Sequence, residues 1–438
     1  MSEISPFFTK KVLPTMIAAA LASSAQAYNL YEKNGSELNA DIEAMFGVFS
    51  SDHSFDTLGA KQSGSSTWQE GYIKYGLSGS HVTGESNASV YGAFNVVSSG
   101  TWGDGDAAGF TIGNERETEL EDAYVGWRLG DLLPALGKDG LDLSFGRQNF
   151  TLGDGFLING DALNFGNAFD GSMNRGGGYW LAPRKVFDET AILRIGGEEG
   201  ARADVFWLQS DNVAQYKMEL AGVNAEYVTP EGTYAAAYIK GLDALHSDAL
   251  GSARDGQETL SVRYQGNAGV DNLFLSGEYV TQTPGNASSD SDAWYLEAGW
   301  TFADVNWSPS INYRFSQFDK GFDPLFYGFN RGYGTWFQGE VAGNYAGPFN
   351  SNADVQQIAL KAAPTDMLSI GAVLFDFSNT NNGEMNAQEL DLYAEWVVSP
   401  NLIISPLIGF YKPEESNNKQ LGGNDTNVYG QVIAIVPF

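Results

Sequence analysis

The 438-residue chain has no cysteine, only three histidines, and far fewer basic than acidic residues. Without cysteine it can form no disulfide, no Cys-ligated metal site and no thiol nucleophile. The histidines, His53, His81 and His246, are far apart in sequence, which argues against a histidine-rich metal site. With 24 Lys and Arg against 54 Asp and Glu, the formal net charge is −30. We expect no nucleic-acid partner, because binding to a duplex needs a basic surface.

Recognisable catalytic motifs are also lacking. The sequence contains no convincing nucleophile elbow, no His-Glu-x-x-His zinc motif and no phosphate-binding glycine loop. Its run of three glycines, residues 176–178, is more typical of a flexible bend. We therefore expect neither an enzyme nor a bound cofactor or metal.

Long hydrophobic runs are missing from almost the whole chain. One short apolar stretch, residues 12–21, follows Lys10 and Lys11 and precedes the small-residue sequence Ala25-Gln26-Ala27. A basic segment, a short apolar segment and a small-residue cleavage site are typical of a secretory signal peptide. We predict a signal peptide over 1–27, with the mature chain 28–438 forming a single domain. No later stretch approaches 20 continuous apolar residues, so no transmembrane helix is expected.

Most of the remaining chain alternates between apolar and polar residues. In one strand Phe46 and Val48 share a face, while Asp41 and Glu43 share the other; elsewhere Trp294 to Phe302 repeats the pattern. These runs extend over roughly ten residues, close to the 9–11 that a tilted strand needs to cross a bilayer. The pattern predicts an all-β protein, a closed antiparallel transmembrane β-barrel with apolar residues facing lipid and polar residues facing the lumen.

The connections between the strands set their number. Short turns at one end of a barrel and longer loops at the other are typical of outer-membrane proteins. Eight short turns and nine longer loops predict 18 strands, with 16 as the alternative, and an even number places both termini on the periplasmic side. The predicted short turns are 79–85, 130–139, 196–200, 230–232, 266–271, 303–305, 364–366 and 400–401.

Two loops are much longer than the others. Residues 151–186 include eight glycines together with large apolar side chains such as Phe156 and Phe165. Residues 318–352 form the second loop and are rich in Phe, Tyr and Trp. Long loops of this kind are usually functional or disordered, and these carry too many large apolar residues for a solvated linker. We expect 151–186 to fold inward against the barrel wall.

Several segments resemble Gram-negative porins. They are Tyr28-Asn29-Leu30-Tyr31-Glu32-Lys33-Asn34-Gly35, Ala123-Tyr124-Val125-Gly126-Trp127, Leu143-Ser144-Phe145-Gly146-Arg147-Gln148, and the terminal Phe438. An 18-strand count is closer to substrate-selective channels and to alginate-export barrels than to the general 16-stranded porins. Asp323-Pro324-Leu325-Phe326 and Trp336-Phe337-Gln338-Gly339-Glu340 also resemble the alginate-export group. The resemblance implies that the loop after Gly146-Arg147 narrows the lumen, and that Phe438 is recognised during barrel assembly.

The predicted constriction combines acids of the long loop with arginines that lie opposite them. Such a transverse field would reorient dipolar hydrated solutes and exclude apolar ones. Strand parity points Arg147 outward, so a bulge or a strand end would have to turn it into the lumen. The candidate residues are Arg147, Asp154, Asp161, Asp170, Arg175 and Arg184 for the constriction, and Asp41, Glu43, Arg128, Arg194, Glu278, Glu297 and Arg314 for the lumen wall.

These features predict a channel in the outer membrane of a Gram-negative bacterium. We expect passive diffusion of small polar solutes, with cations favoured because acids outnumber bases on the inward faces. An alginate-type polysaccharide exporter and a structural or adhesive barrel plugged by its loops are the alternatives. Expected partners are membrane lipid, lipopolysaccharide and small polar solutes or ions, and the sequence leaves a monomer and a homotrimer open.

Overall fold

The computed structural model describes residues 28–55, 64–84, 86–168, 170–286, 289–328, 331, 338–347, 350–414 and 424–437. The predicted signal peptide 1–27 and Phe438 lie outside these residues. Within them the chain forms nineteen strands: β1 Tyr28–Lys33, β2 Ser36–Ser51, β3 Ser66–Thr83, β4 Ala88–Gly103, β5 Arg116–Arg128, β6 Leu141–Gln148, β7 Phe187–Ile195, β8 Gly200–Gln209, β9 Glu219–Thr229, β10 Gly232–Asp243, β11 Glu258–Gly266, β12 Leu273–Thr283, β13 Ser291–Thr301, β14 Ser310–Phe318, β15 Ala353–Thr365, β16 Leu368–Ser378, β17 Ala387–Ser399, β18 Leu402–Pro413 and β19 Asn427–Pro437.

Helical structure is confined to short segments. They are the α-helix α1 Ala249–Arg254, the 3₁₀ turns Pro134–Leu136, Val213–Gln215 and Thr380–Gly383, and a π-helical turn Ala342–Ala346. No helix in the described part of the chain is long and apolar enough to cross a membrane.

Eighteen of the strands close into one antiparallel ring. Each strand from β2 to β19 pairs with its neighbours in sequence, and β19 returns to pair with β2 through Val432 and Val48. The short β1 pairs with the first part of β2, from Lys33 opposite Ser36 to Tyr28 opposite Ala40, beyond the residues that β19 reaches. The predicted closed 18-stranded barrel is therefore confirmed, and it leaves no open sheet edge around the ring, as a lipid environment requires.

The two faces of the wall separate as the alternation predicts. Leu296 and Trp300 are exposed on the outside of β13, whereas Tyr295 and Glu297 are buried on the inside. The same holds for β17, where Leu392 and Trp396 are exposed and the intervening Glu395 is buried.

The inside of the barrel has two chemically different halves. Near the long-loop end, the inward side chains are mostly apolar and tightly buried, including Phe49, Trp68, Leu208, Leu220, Val280 and Tyr429. Toward the short-turn end, the inward side chains are charged, including Asp41, Lys74, Asp142, Asp204, Glu226 and Glu395. The long loops supply the apolar groups that bury the first half, because a packed cluster needs partners on all sides.

Candidate functional site

The first inward loop, residues 149–186 between β6 and β7, crosses the lumen. Its backbone N–H groups at Trp180 and Leu181 each donate to Glu70 of β3 at 2.9 Å. On the other side, Asp154 accepts from Gln265 of β11 at 3.0 Å and lies 3.5 Å from the hydroxyl of Ser276 on β12. Because β3 and β12 are half the ring apart, the loop spans the cross-section of the barrel.

The second inward loop, residues 319–352 between β14 and β15, meets the first inside the barrel. The N–H of Phe326 donates to the carbonyl of Leu157 at 3.0 Å, and the hydroxyl of Tyr179 donates to the carbonyl of Asn344 at 2.7 Å. Tyr345 packs its ring against those of Trp68 on β3 and Tyr429 on β19. The two loops together therefore narrow the lumen from several sides.

The second loop is attached to β17 by one carboxylate. Glu389, which is 1% exposed, accepts hydrogen bonds from three consecutive backbone N–H groups, those of Glu340, Val341 and Ala342, at 2.7 to 2.8 Å. A carboxylate that accepts several N–H bonds makes strong, charge-assisted contacts. This interaction fixes the start of the π-helical turn at 342–346.

A bulge brings Arg147 into the lumen. Gly146 has φ +115°, a conformation that favours glycine, and the pairing between β6 and β7 shifts register between Gly146 and Gln148. Arg147 consequently departs from the outward parity of its strand and is 8% exposed. Its guanidinium pairs with Asp188 and donates to Asp211 at 2.9 Å.

Asp211 connects two of the candidate arginines. It accepts from Arg147 through one oxygen and from Arg175 at 3.1 Å through the other. Arg175 also approaches a carboxylate oxygen of Asp161 at 3.3 Å. Burial opposes ionisation of Asp211, but the positive charges of Arg175 and Arg147 outweigh it and hold the pKa of Asp211 below its ordinary value.

Asp161 is fully buried and firmly held in this network. It accepts from the hydroxyl of Ser210 at 2.7 Å and from the side-chain amide of Asn212 at 2.9 Å. Arg184 lies nearby and pairs with Glu121 of β5 at 2.9 Å. Burial and the adjacent charge of Arg175 lower the pKa of Arg184 from its ordinary value. We call Arg147, Asp161, Arg175, Arg184, Asp211 and Glu121 the arginine network.

Asp154 belongs to a second charged cluster on another part of the wall. Arg331 of the second inward loop donates to Asp154 at 2.8 Å and to Glu297 of β13 at 2.7 Å. Arg314 on β14 lies 4.0 Å from Glu297. The cation of Arg331 also lies over the ring of Phe274. This cluster connects both inward loops to the strand wall.

The structure thus brings four of the six predicted constriction residues together and separates the other two. Arg147, Asp161, Arg175 and Arg184 share the arginine network, in which acids and bases are in direct contact. Asp154 lies in the cluster with Arg331, and Asp170 is exposed, with its carboxylate accepting from the N–H of Ser172.

The predicted lumen-wall residues lie on the inner face, mostly in pairs. Glu43 approaches Lys74 at 3.4 Å, and the hydroxyl of Ser78 donates to Asp41 at 2.8 Å. The other contacts are Arg128 with Asp142 at 3.1 Å, Arg194 with Asp204 at 3.9 Å, and Glu278 with the hydroxyl of Ser261 at 2.5 Å.

Several important partners were not predicted from the sequence. Glu121 could have been found from the every-second-residue series Glu117, Glu119 and Glu121, which marks one face of β5. Asp211 and Arg331 lie in connections, where no periodicity indicates orientation, so their contacts depend on how distant loops fold. Arg331 in particular pairs with Asp154, 177 positions earlier in the chain.

A charged cavity opens beside the first inward loop on the short-turn side. Its volume is about 520 Å³, and charged groups from eight positions contribute to its lining. They are Asp139, Asp142, Asp154, Arg194, Arg202, Asp204, Glu226 and Arg263. Both acids and arginines line this cavity, so a polar solute would meet charged groups of both signs.

Comparison with known proteins identifies a related architecture. A family model described as alginate export matches residues 113–317. Comparison with curated protein sequences finds no match. Three similar solved structures are OccAB2 and OccAB4 from Acinetobacter baumannii and the outer membrane protein OprD from Pseudomonas aeruginosa.

These three structures share the fold at low sequence identity. OccAB2 is 10% identical with a TM-score of 0.57, over 91% of this chain and 97% of its own. OccAB4 is 12% identical with a TM-score of 0.56, over 95% and 100% of the two chains. OprD is 12% identical with a TM-score of 0.53, over 94% and 95%.

Proposed function

We propose that this protein is a porin-type channel for the passive diffusion of small polar solutes across the outer membrane of a Gram-negative bacterium. The observation that carries the proposal is a closed barrel whose lumen is narrowed by two inward loops bearing paired charges. The similarity to the outer membrane protein OprD supports it at the level of the fold.

The charged clusters suit small hydrated solutes. A polar solute loses part of its hydration shell in a narrow passage, and fixed carboxylates and guanidinium groups can replace those contacts. In the described residues of the arginine network, each guanidinium group has an acidic partner. A solute in the lumen would therefore meet paired opposite charges at this network.

Cation preference is a finer part of the proposal. The chain carries a formal charge of −30, and acids on the wall near the short turns would raise the local concentration of cations. Screening at high salt should weaken the preference, since the Debye length falls to about 3 Å at 1 M.

Alginate export is the second candidate because a family model with that description matches 113–317. Passage of a polyanion would favour a lumen with unpaired cations. Arg147, Arg175 and Arg184 are instead engaged by Asp211, Asp161 and Glu121. We therefore favour small solutes over a polyanionic chain.

Planar-bilayer recording tests the channel directly. Purified barrel should give discrete conductance steps, and liposomes containing it should swell in small sugars or amino acids. Reversal potentials in a salt gradient would then report the ion preference. Absence of both conductance and solute uptake would support a plugged structural barrel.

Fractionation of cells tests where the protein resides. We expect the mature chain in the outer membrane, beginning at Tyr28, and reduced assembly when Phe438 is replaced by a small polar residue. Cross-linking in the membrane would distinguish a monomer from a homotrimer. Recovery as a soluble periplasmic protein would exclude the proposed function.

A further inference from the structure

Three metal-ligating side chains meet at the long-loop end of β10 and β11. Asp243 ends β10, His246 follows it in the loop, and Asp255 comes directly after α1. One ligand atom from each lies within 4.8 Å of the other two. The imidazole Nε2 of His246 is 2.9 Å from a carboxylate oxygen of Asp255. The group is accessible from outside the barrel and is separate from the arginine network.

The backbone around these side chains is fixed by contacts of its own. Beside His246, the N–H of Leu245 donates to the carbonyl of Tyr216 at 2.7 Å. Beside Asp255, the buried guanidinium of Arg254 donates to both oxygens of Asp323 at 2.8 Å. His246 and Asp255 are therefore attached to held positions, which reduces the entropy lost when they close on an ion.

A fourth acid nearby has a different role. Asp248 caps α1, accepting from the N–H groups of Leu250 and Gly251 at 2.9 and 3.0 Å. Its second oxygen accepts from the hydroxyl of Tyr216 at 2.9 Å. Both oxygens are thus engaged by the protein, which separates Asp248 from the group formed by Asp243, His246 and Asp255.

We propose that Asp243, His246 and Asp255 bind one divalent transition-metal ion, with Zn²⁺ as the fitting probe. Zinc takes imidazole nitrogen and carboxylate oxygen at about 2.0–2.2 Å, so ligand atoms around it lie roughly 3–3.5 Å apart. The three ligand atoms here lie within 4.8 Å of one another, so small side-chain rotations would bring them to that spacing. Calcium and magnesium prefer sites made of oxygen only. The two carboxylates neutralise the charge of the ion, and water completes its coordination from the exposed side.

The chain offers an unusually clean test because it contains no cysteine and only three histidines. Untagged full-length barrel in detergent is titrated with Zn²⁺ by calorimetry, after its fold has been checked by the mobility of unheated samples on gels. We expect one saturable site per chain. His246→Ala should weaken binding at least about tenfold, because it removes the one nitrogen ligand of the site; tenfold corresponds to about 1.4 kcal/mol.

Two matched variants serve as controls. His53→Ala removes a histidine from the connection after β2, and His81→Ala removes one near the end of β3, at the short-turn side. Both variants should bind Zn²⁺ as the unmodified chain does. Asp255→Asn keeps the shape of the side chain and removes its charge, so its affinity should fall as well.

A spectroscopic readout is independent of any transport activity. With Cu²⁺ in place of Zn²⁺, electron paramagnetic resonance should show coupling to a single imidazole nitrogen, lost in His246→Ala. Failure to saturate, equal binding by His246→Ala, or equal loss in His53→Ala would each overturn the proposal and leave His246 and Asp255 as an ordinary surface ion pair.

Discussion

The two inward loops enter the same lumen, and one attachment of each differs in electrostatic character from the other. In one attachment of the first loop, Arg175 and Arg184 contact Asp211 and Glu121 of the wall and connections, and Arg175 also contacts Asp161 of the loop itself. The segment 338–347 of the second loop is attached through acids, because Glu389 accepts three of its backbone N–H groups. The attachment of the first loop pairs arginines with acids, whereas the attachment of segment 338–347 places several acids close together.

The acidic attachment includes two further buried carboxyl groups. Glu340 is 4% exposed and Asp391 is 1% exposed, and the carboxyl group of Asp391 faces that of Glu389. Burial, followed by the negative charge of Glu389, raises the pKa of Glu340 well above its ordinary value. Like charges this close cannot all ionise cheaply, so protons stabilise this attachment. The comparison teaches that two attachments inside one barrel can differ in what releases them.

Shortening the first inward loop should have the largest effect. Removing much of 152–184 while keeping β6 and β7 should raise single-channel conductance several-fold and admit larger solutes, because this loop crosses the lumen. A deletion of 338–347 is the matched variant for the second loop. If conductance changes only in the second deletion, the constriction belongs to the second loop.

Replacing Glu389, which accepts hydrogen bonds from the second loop, should have the second-largest effect. Glu389→Ala leaves buried N–H groups of Glu340, Val341 and Ala342 without their partner, at a cost of about 1–3 kcal/mol for each group that water does not reach. We expect segment 338–347 to become sensitive to limited proteolysis, while the first loop stays resistant. Glu395→Ala, which removes an equally buried acid paired with Lys361, is the control. Equal protection in both variants would contradict the assigned role of Glu389.

Alkaline pH should loosen segment 338–347 of the second loop. Because the folded protein raises the pKa of Glu340, its contribution is complete below the ordinary value of 4.5 and is lost as pH rises toward the raised value. Hydrogen exchange at 340–342, corrected for intrinsic rates, should accelerate with pH. Glu340→Gln should abolish that dependence, and faster exchange at acid pH would show the sign to be wrong.

Neutralising one acid of the arginine network should have the smallest effect. Asp211→Asn leaves Arg147 and Arg175 less compensated, so reversal potentials should shift modestly toward anions. Asp170→Asn, an exposed acid of the first loop, should shift them less. Because the folded pKa of Asp211 is lowered, its stabilising contribution is present at neutral pH and is lost as pH falls through that value. An unchanged potential in Asp211→Asn would place the selective region elsewhere.

Sequence reasoning predicted the wall better than its contents. Alternation alone indicated that Trp300 faces outward and Glu297 inward, because a strand of fixed parity leaves only two choices. Parity failed at Arg147, where one residue in the bulge at Gly146 exchanges the faces. The partners of Arg331 could not be predicted, since they depend on how two distant loops pack inside a finished barrel. The hairpin formed by β1 was also not predicted.

That hairpin determines how the seam of the barrel is made. The turn at Asn34 and Gly35, with φ of +55° and +73°, folds β1 back on the strand immediately after it. The other partner on the same edge of β2 is β19, whose Val432 pairs with Val48 from the far end of the chain. The same edge of β2 therefore pairs with β1, its nearest neighbour in sequence, and next to it with β19, the most distant strand in the chain. Loop-closure entropy makes the local pairing fast and the distant one slow. We therefore expect β1 to occupy the first part of this edge early, so that only the remaining part of β2 is open to β19 when the barrel closes.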